Sequence, residues 1–175
     1  FRCCRGSQWT PKMMKWGALT SCPEGMIGIG RFCIDQFEYP NHYGVTPQKE
    51  LSWEEAQGVC TKLGKRVCTE SEWTLACEGP DWKGYPYGSE YHSGRCATKD
   101  GKGLEVSTSG EFEQCVTPDG VYDMTGGVWE WTSQDDGSGG VLRGGGSVLS
   151  AGLGRCRSRA YVCTYVRMYV RTYVC

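Results

Sequence analysis

The ten residues YDMTGGVWEW, from Tyr122 to Trp131, set two carboxylates, Asp123 and Glu130, on either side of the glycine pair Gly126-Gly127. Calcium is a hard cation that takes about six to eight oxygens from carboxylates, peptide carbonyls and water. Glycine lets the backbone curl tightly, so the carbonyls of Gly126 and Val128 are expected to face the same centre as Asp123 and Glu130. Trp129 and Trp131 alternate with Glu130 and are expected to anchor this loop to the core. The bland reading is a glycine turn carrying two solvated acids, because the spacing is not that of an EF-hand.

Other chemistry finds little support. The two histidines, His42 and His92, lie far apart with no ligand-like spacing, and there is no Ser/His/Asp arrangement, phosphate-cradling loop or isolated acid pair. Twelve cysteines, an even number spread along the chain, read as disulfides, since tight CxxC zinc pairs are missing. Reduced or metal-bound thiols are the alternative. Disulfides imply an oxidising compartment, so the protein is expected to be secreted, periplasmic or at a cell surface. No signal peptide opens at Phe1, as in a processed or truncated chain.

The elements that must hold the Tyr122–Trp131 loop fit one domain in 175 residues. With 39% hydrophobic residues, 22% charged residues and 26 glycines, the chain reads as globular and rich in loops. Formal net charge is −1, and no apolar run approaches the ~18 residues of a spanning helix. Neither nucleic acid nor a membrane span is expected.

Residues 1–21 carry four basic residues and no acid, and read as an arm. The domain proper is expected over 22–175. It begins with a hairpin in CPEGMIGIGRFCIDQFEYPN that Cys22 and Cys33 could close. Two helices follow in LSWEEAQGVCTKLGKRVC and TESEWTLACEG, with capping boxes Ser52/Glu55 and Thr69/Glu72 and terminating glycines Gly64 and Gly79. Ala56, Val59, Cys60 and Leu63 form one core face; Trp73, Ala76 and Cys77 form the other. The long irregular segment from Pro80 to Gly120 calls for pinning, with Cys96 and Cys115 as candidates. The closing RCRSRAYVCTYVRMYVRTYVC reads as β-strand with a half-solvated face; a basic ligand-binding face and a variable surface are the alternatives.

Four motifs in order, GKRVCTESEWTLACEG, YPYG, YDMTGGVWEWTS and VLRGGGS, resemble the sulfatase-modifying-factor (formylglycine-generating-enzyme) family from about Cys22 to Arg159. The resemblance implies an irregular α+β fold related to C-type lectins, with two helices, small twisted antiparallel sheets and long loops. It also implies structural calcium at Asp123, Gly126, Val128 and Glu130, although Gly127 replaces the family's asparagine. A second calcium site would fall around Ala97 to Gly103, with Asp100 a weak ligand. The copper-dependent oxidase of this family uses two cysteines after its GGS motif. Here Ser150 stands at the first position, and Cys156 matches a structural cysteine that bridges to Cys77. Oxygen is a poor ligand for Cu(I) where thiolate is a good one, so no catalytic residues are expected.

Family members end on a strand reading GFRC or GFRCC, whereas this chain begins FRCC. Circular permutation, misordered numbering, or a strand donated to a neighbouring subunit would each account for it. The resemblance pairs Cys3 with Cys60 and Cys77 with Cys156. Elimination and proximity then pair Cys4–Cys68, Cys22–Cys33, Cys96–Cys115 and Cys163–Cys175. The expected function is a non-catalytic, calcium-stabilised, disulfide-rich extracellular domain that binds a protein or glycan or builds a surface assembly. A metal-dependent oxidoreductase acting on cysteine or another thiol is the alternative, and a fibre subunit that self-associates through the N-terminal arm is a third.

Overall fold

The computed structural model describes residues 1–6, 21–99, 108–145 and 154–160. Its strands are β1 (Cys3–Arg5), β2 (Met26–Ile29), β3 (Phe32–Asp35), β4 (Arg66–Val67), β5 (Glu130–Ser133), β6 (Gly140–Arg143) and β7 (Arg159–Ala160). The helices are α1 (Trp53–Lys62) and α2 (Glu70–Glu78). This is an α+β fold with two small antiparallel sheets, ordered β2-β3-β1-β4 and β5-β6-β7.

Both helices begin where the sequence signals them. Ser52 accepts from the Glu55 N–H while the Glu55 carboxylate accepts from the Ser52 N–H, and Thr69 and Glu72 repeat the arrangement. These reciprocal bonds satisfy amides that a helix start leaves without partners. Gly64, in left-handed backbone, follows α1, and Gly79 caps α2. Ala56 and Cys60 of α1 are buried, as are Trp73, Ala76 and Cys77 of α2. Val59 is half-buried and Leu63 is 52% exposed. Leu63 does not join the core face because it is the C-cap, where the helical spiral that would have carried it inward has ended.

Residues 1–6, the FRCC end of the expected arm, take part in the fold. β1 lies between β3 and β4, antiparallel to both, with Cys4 opposite Ile34 and Arg66. Successive strand residues point to opposite faces, so adjacent Cys3 and Cys4 serve different cores. Cys3 joins Phe1, Ala56, Cys60 and Val67, with Trp131 packed alongside. Cys4 joins Phe32, Ile34, Cys68, Trp73 and Met124. Residues 7–20 lie outside the described residues.

Five disulfides tie the chain: Cys3–Cys60, Cys4–Cys68, Cys22–Cys33, Cys77–Cys156 and Cys96–Cys115. Cys163 and Cys175 lie outside the described residues, as does the tail beyond Ala160. The bridge from Cys96 to Cys115 closes the long irregular segment, whose described residues otherwise contribute only isolated bridges such as Ala97 to Gly126. No helix among the described residues is long and apolar enough to cross a membrane.

Candidate functional site

The Tyr122–Trp131 segment curls as its glycines permit. Asp123, Gly126 and Gly127 all take positive φ, at 56°, 80° and 60°. Gly126 lies so close to the long loop that an added Cβ would meet the Ala97 carbonyl oxygen at 2.3 Å. That oxygen accepts from the Gly127 N–H at 2.8 Å, and the Gly126 N–H reaches the Gly144 carbonyl at 3.0 Å. The curl is thus stitched on both sides, by residue 97 and by the turn after β6. Val128 sits beside Gly144, where a Cβ would lie 3.5 Å from the Val128 carbonyl oxygen.

Both acids of the segment are buried. Asp123 accepts from the Gly110 N–H through Oδ2 at 2.6 Å. Glu130 opens β5, opposite Arg143 of β6. The flanking tryptophans are half-buried, and it is the carboxylate between them that points inward. Trp131 donates its indole N–H to the Leu51 carbonyl at 2.8 Å and so ties β5 to the start of α1. Among the described residues the fully buried tryptophan is Trp73, on α2.

Two residues complete the site that spacing alone did not reveal. Arg2, on the Cys4 face of the first strand, is completely buried. Its Nε hydrogen-bonds Glu130 Oε1 at 3.1 Å and stands 3.0 Å from Oε2. Its other nitrogens reach the carbonyls of Asp35, Gln36 and Tyr122 and lie 3.6 Å from Glu38 Oε2. Glu38 is buried as well; it accepts from the Ser109 hydroxyl at 3.0 Å and approaches Gly127, where a Cβ would lie 3.9 Å from Oε1. A sequence cue existed, since Glu38 is an acid flanked by two aromatic residues, Phe37 and Tyr39, but nothing nearby named its partner.

Three buried carboxylates, Glu38, Asp123 and Glu130, therefore share one guanidinium. Electrostatics follow from that shortage of positive charge. Burial raises Glu38 above its ordinary value, with Arg2 opposing and Glu130 adding to the shift. Asp123 is raised from 3.8 to about 7, first by burial and then by Glu38, against the Gly110 N–H and Arg2. Burial works against the charge on Arg2, yet Glu130 and Glu38 hold its pKa above the usual value. Glu130 Oε2 is buried and accepts no hydrogen bond.

This chemistry fits a hard divalent cation in one respect: an acid-rich cluster holds a buried carboxylate oxygen that accepts no hydrogen bond, although Arg2 Nε stands 3.0 Å from it. No group of three His, Cys, Asp or Glu side chains with metal-site geometry occurs among the described residues. A calcium ion here would accordingly depend on Asp123 and Glu130 together with peptide oxygens of the Gly126–Val128 curl. Asp100 and Ser150 lie outside the described residues. Cys156 is bonded to Cys77, and His42 and His92 are both exposed, one in each of two separate loops.

A family model described as the sulfatase-modifying factor enzyme 1-like domain matches residues 29–169. The chain is 33% identical over 133 residues to the inactive C-alpha-formylglycine-generating enzyme 2 of Bos taurus, covering 67% of this chain and 44% of that protein. It is 34% identical over 128 residues to the formylglycine-generating enzyme of Thermomonospora curvata, covering 66% and 39%. The chain thus spans less than half the length of these relatives. Among solved structures, Treponema denticola variable protein 1 superposes with a TM-score of 0.58 at 19% identity, covering 68% of this chain and 66% of that one.

Proposed function

Since the chain belongs to the sulfatase-modifying factor enzyme 1-like family, we propose that it uses this fold as a non-catalytic, calcium-stabilised extracellular domain for binding or surface assembly. One observation carries the proposal. All ten cysteines among the described residues are consumed in bridges, including Cys156, the one nearest the GGGS tract. Thiol oxidation by a copper centre needs thiolate ligands, and a disulfide sulfur is not a thiolate. The similarity to a bovine protein named inactive supports the same reading.

Calcium would be held by Asp123, Glu130 and the carbonyls of Gly126 and Val128, and would supply structural charge balance to the acid-rich pocket. Five bridges suit an oxidising location. Partners of this domain are a protein or a glycan, in keeping with an unexceptional net charge.

The test is a thiol count and metal inventory on the purified chain, followed by oxygen uptake with a cysteine peptide after Cu(I) loading. Calcium, no free thiol and no oxygen uptake are expected. Copper- or iron-dependent oxygen uptake would replace this reading with the oxidoreductase. The central position of β1 also supports a second reading, strand donation between copies, in which the Cys3 and Cys4 bridges would be intermolecular. Electrophoresis without reductant separates the two: monomer for a strand held in its own chain, covalent multimers for a donated one.

A further inference from the structure

Three arginine–aromatic pairs stand along one seam of the molecule. The seam forms where residues 155–157 run beside the loop after α2, joined by the Cys77–Cys156 disulfide and by the Cys156 N–H donating to the Gly84 carbonyl at 3.0 Å. There Arg157 lies over the Trp82 ring at 5.0 Å and Arg155 over Tyr85 at 5.9 Å. Tyr85 stacks on Tyr87 at 5.6 Å with the rings 8° from parallel, and Arg95 lies over Tyr87 at 5.2 Å. Each of the three rings, Trp82, Tyr85 and Tyr87, carries its own guanidinium.

Two features set this seam apart from ordinary packing. Arg155 is exposed and Arg95 half-exposed, and neither forms an ion pair among the described residues, whereas Arg157 pairs with Glu78 and Arg159 with Glu70. A planar guanidinium backed by a ring keeps its donors aimed outward in a fixed fork, suited to sulfate or carboxylate. In addition, Trp82 is 66% exposed and its backbone takes a φ of 56°. A bulky residue held in left-handed backbone carries strain that surrounding structure must sustain. Here that strain presents an indole to solvent, with Arg157 over the ring.

We propose that this seam binds an acidic glycan of the sulfated class, Trp82 stacking on a sugar ring while Arg95 and Arg155 take sulfate groups. The inference rests on the binding-domain reading and narrows its ligand. Spaced cations meet a ligand whose negative charges repeat along a chain, and the indole meets the apolar face of a pyranose. Neutral glycans lack the first contact and acidic peptides lack the second.

The test is binding of the intact, oxidised chain to surfaces carrying heparin, fully desulfated heparin and a panel of neutral glycans and proteins, at about 0.15 M salt, where loose surface attraction is screened. Heparin should bind, with desulfation, R95Q/R155Q and W82A each weakening it at least tenfold; R95K/R155K should recover only part of the loss. All three arginine and tryptophan sites are at or near the surface, and circular dichroism with a disulfide mass map confirms that each variant is folded. Equal binding of heparin by wild type and R95Q/R155Q overturns the proposal, as does equal binding of desulfated heparin. Binding only to a neutral glycan or a protein overturns it while leaving the binding-domain reading intact; no binding to any surface overturns it and counts against ligand binding, leaving surface assembly.

Discussion

Arg2 and Glu130, 128 positions apart in sequence, form a buried ion pair with Nε 3.0 Å from Oε2. It joins the residue just before β1 of one sheet to the first residue of β5 in the other.

Breaking that pair from one side strands a charge in the interior. Arg2→Ala is expected to cost about 3–5 kcal/mol, because Glu38, Asp123 and Glu130 would lose the guanidinium they share. Replacing both partners, as in R2M/E130Q, should cost clearly less than R2A alone. Urea unfolding of the two variants checks this; equal losses would show that the pair contributes no coupling.

The pH response of the calcium-free protein should run opposite to that of most acids. Asp123 is raised from 3.8 to about 7, so the folded state holds a proton that the unfolded chain has released. Stability from this group is fully present below about pH 4 and is lost as pH rises through about 7. Between about pH 5 and pH 8 the loss from Asp123 should be roughly 3 kcal/mol, and Asp123→Asn should reduce the decline, leaving the part that Glu38, also raised, contributes. A wild-type curve without this decline would count against the shared-charge pocket.

Calcium and the proton compete for the same carboxylate. At slightly alkaline pH, millimolar calcium is expected to raise the Tm, EDTA to reverse the rise, and magnesium to do little, since it demands stricter octahedral geometry. Asp123→Asn should remove the response. Scanning calorimetry of wild type in saturating calcium with an unchanged Tm would rule the ion out.

Gly126 tests the curl itself. Alanine there would set its methyl carbon 2.3 Å from the Ala97 carbonyl oxygen, at a φ of 80°, and the loss should be on the order of 3 kcal/mol or more. Gly64→Ala, with a φ of 67° but open space around it, should cost about 1–2 kcal/mol. Chemical denaturation of both variants compares backbone strain with and without a collision.

The helices were readable because a capping box is a local device: Ser52/Glu55 and Thr69/Glu72 declare themselves within four residues. The two acids of the Tyr122–Trp131 loop were equally visible. Arg2 and Glu38 were not, since what makes them matter is a meeting of three distant segments that no period or spacing encodes. Leu63 was misplaced for a related reason. Apolar spacing extends a helical face without regard to where the helix stops, and Gly64 stops it one residue after the C-cap. Trp131 anchors the loop as its size suggests, packed beside the Cys3 core and bonded to the Leu51 carbonyl, yet it is only half-buried, because alternation along β5 sends Glu130 fully inward.

Adjacent cysteines that face opposite ways have a topological result. The exposed stretch from 42 to 46 is open to a protease, yet Cys3–Cys60 and Cys4–Cys68 both straddle it. Cleavage there would yield a nicked molecule of undivided mass, whose two pieces part only after reduction.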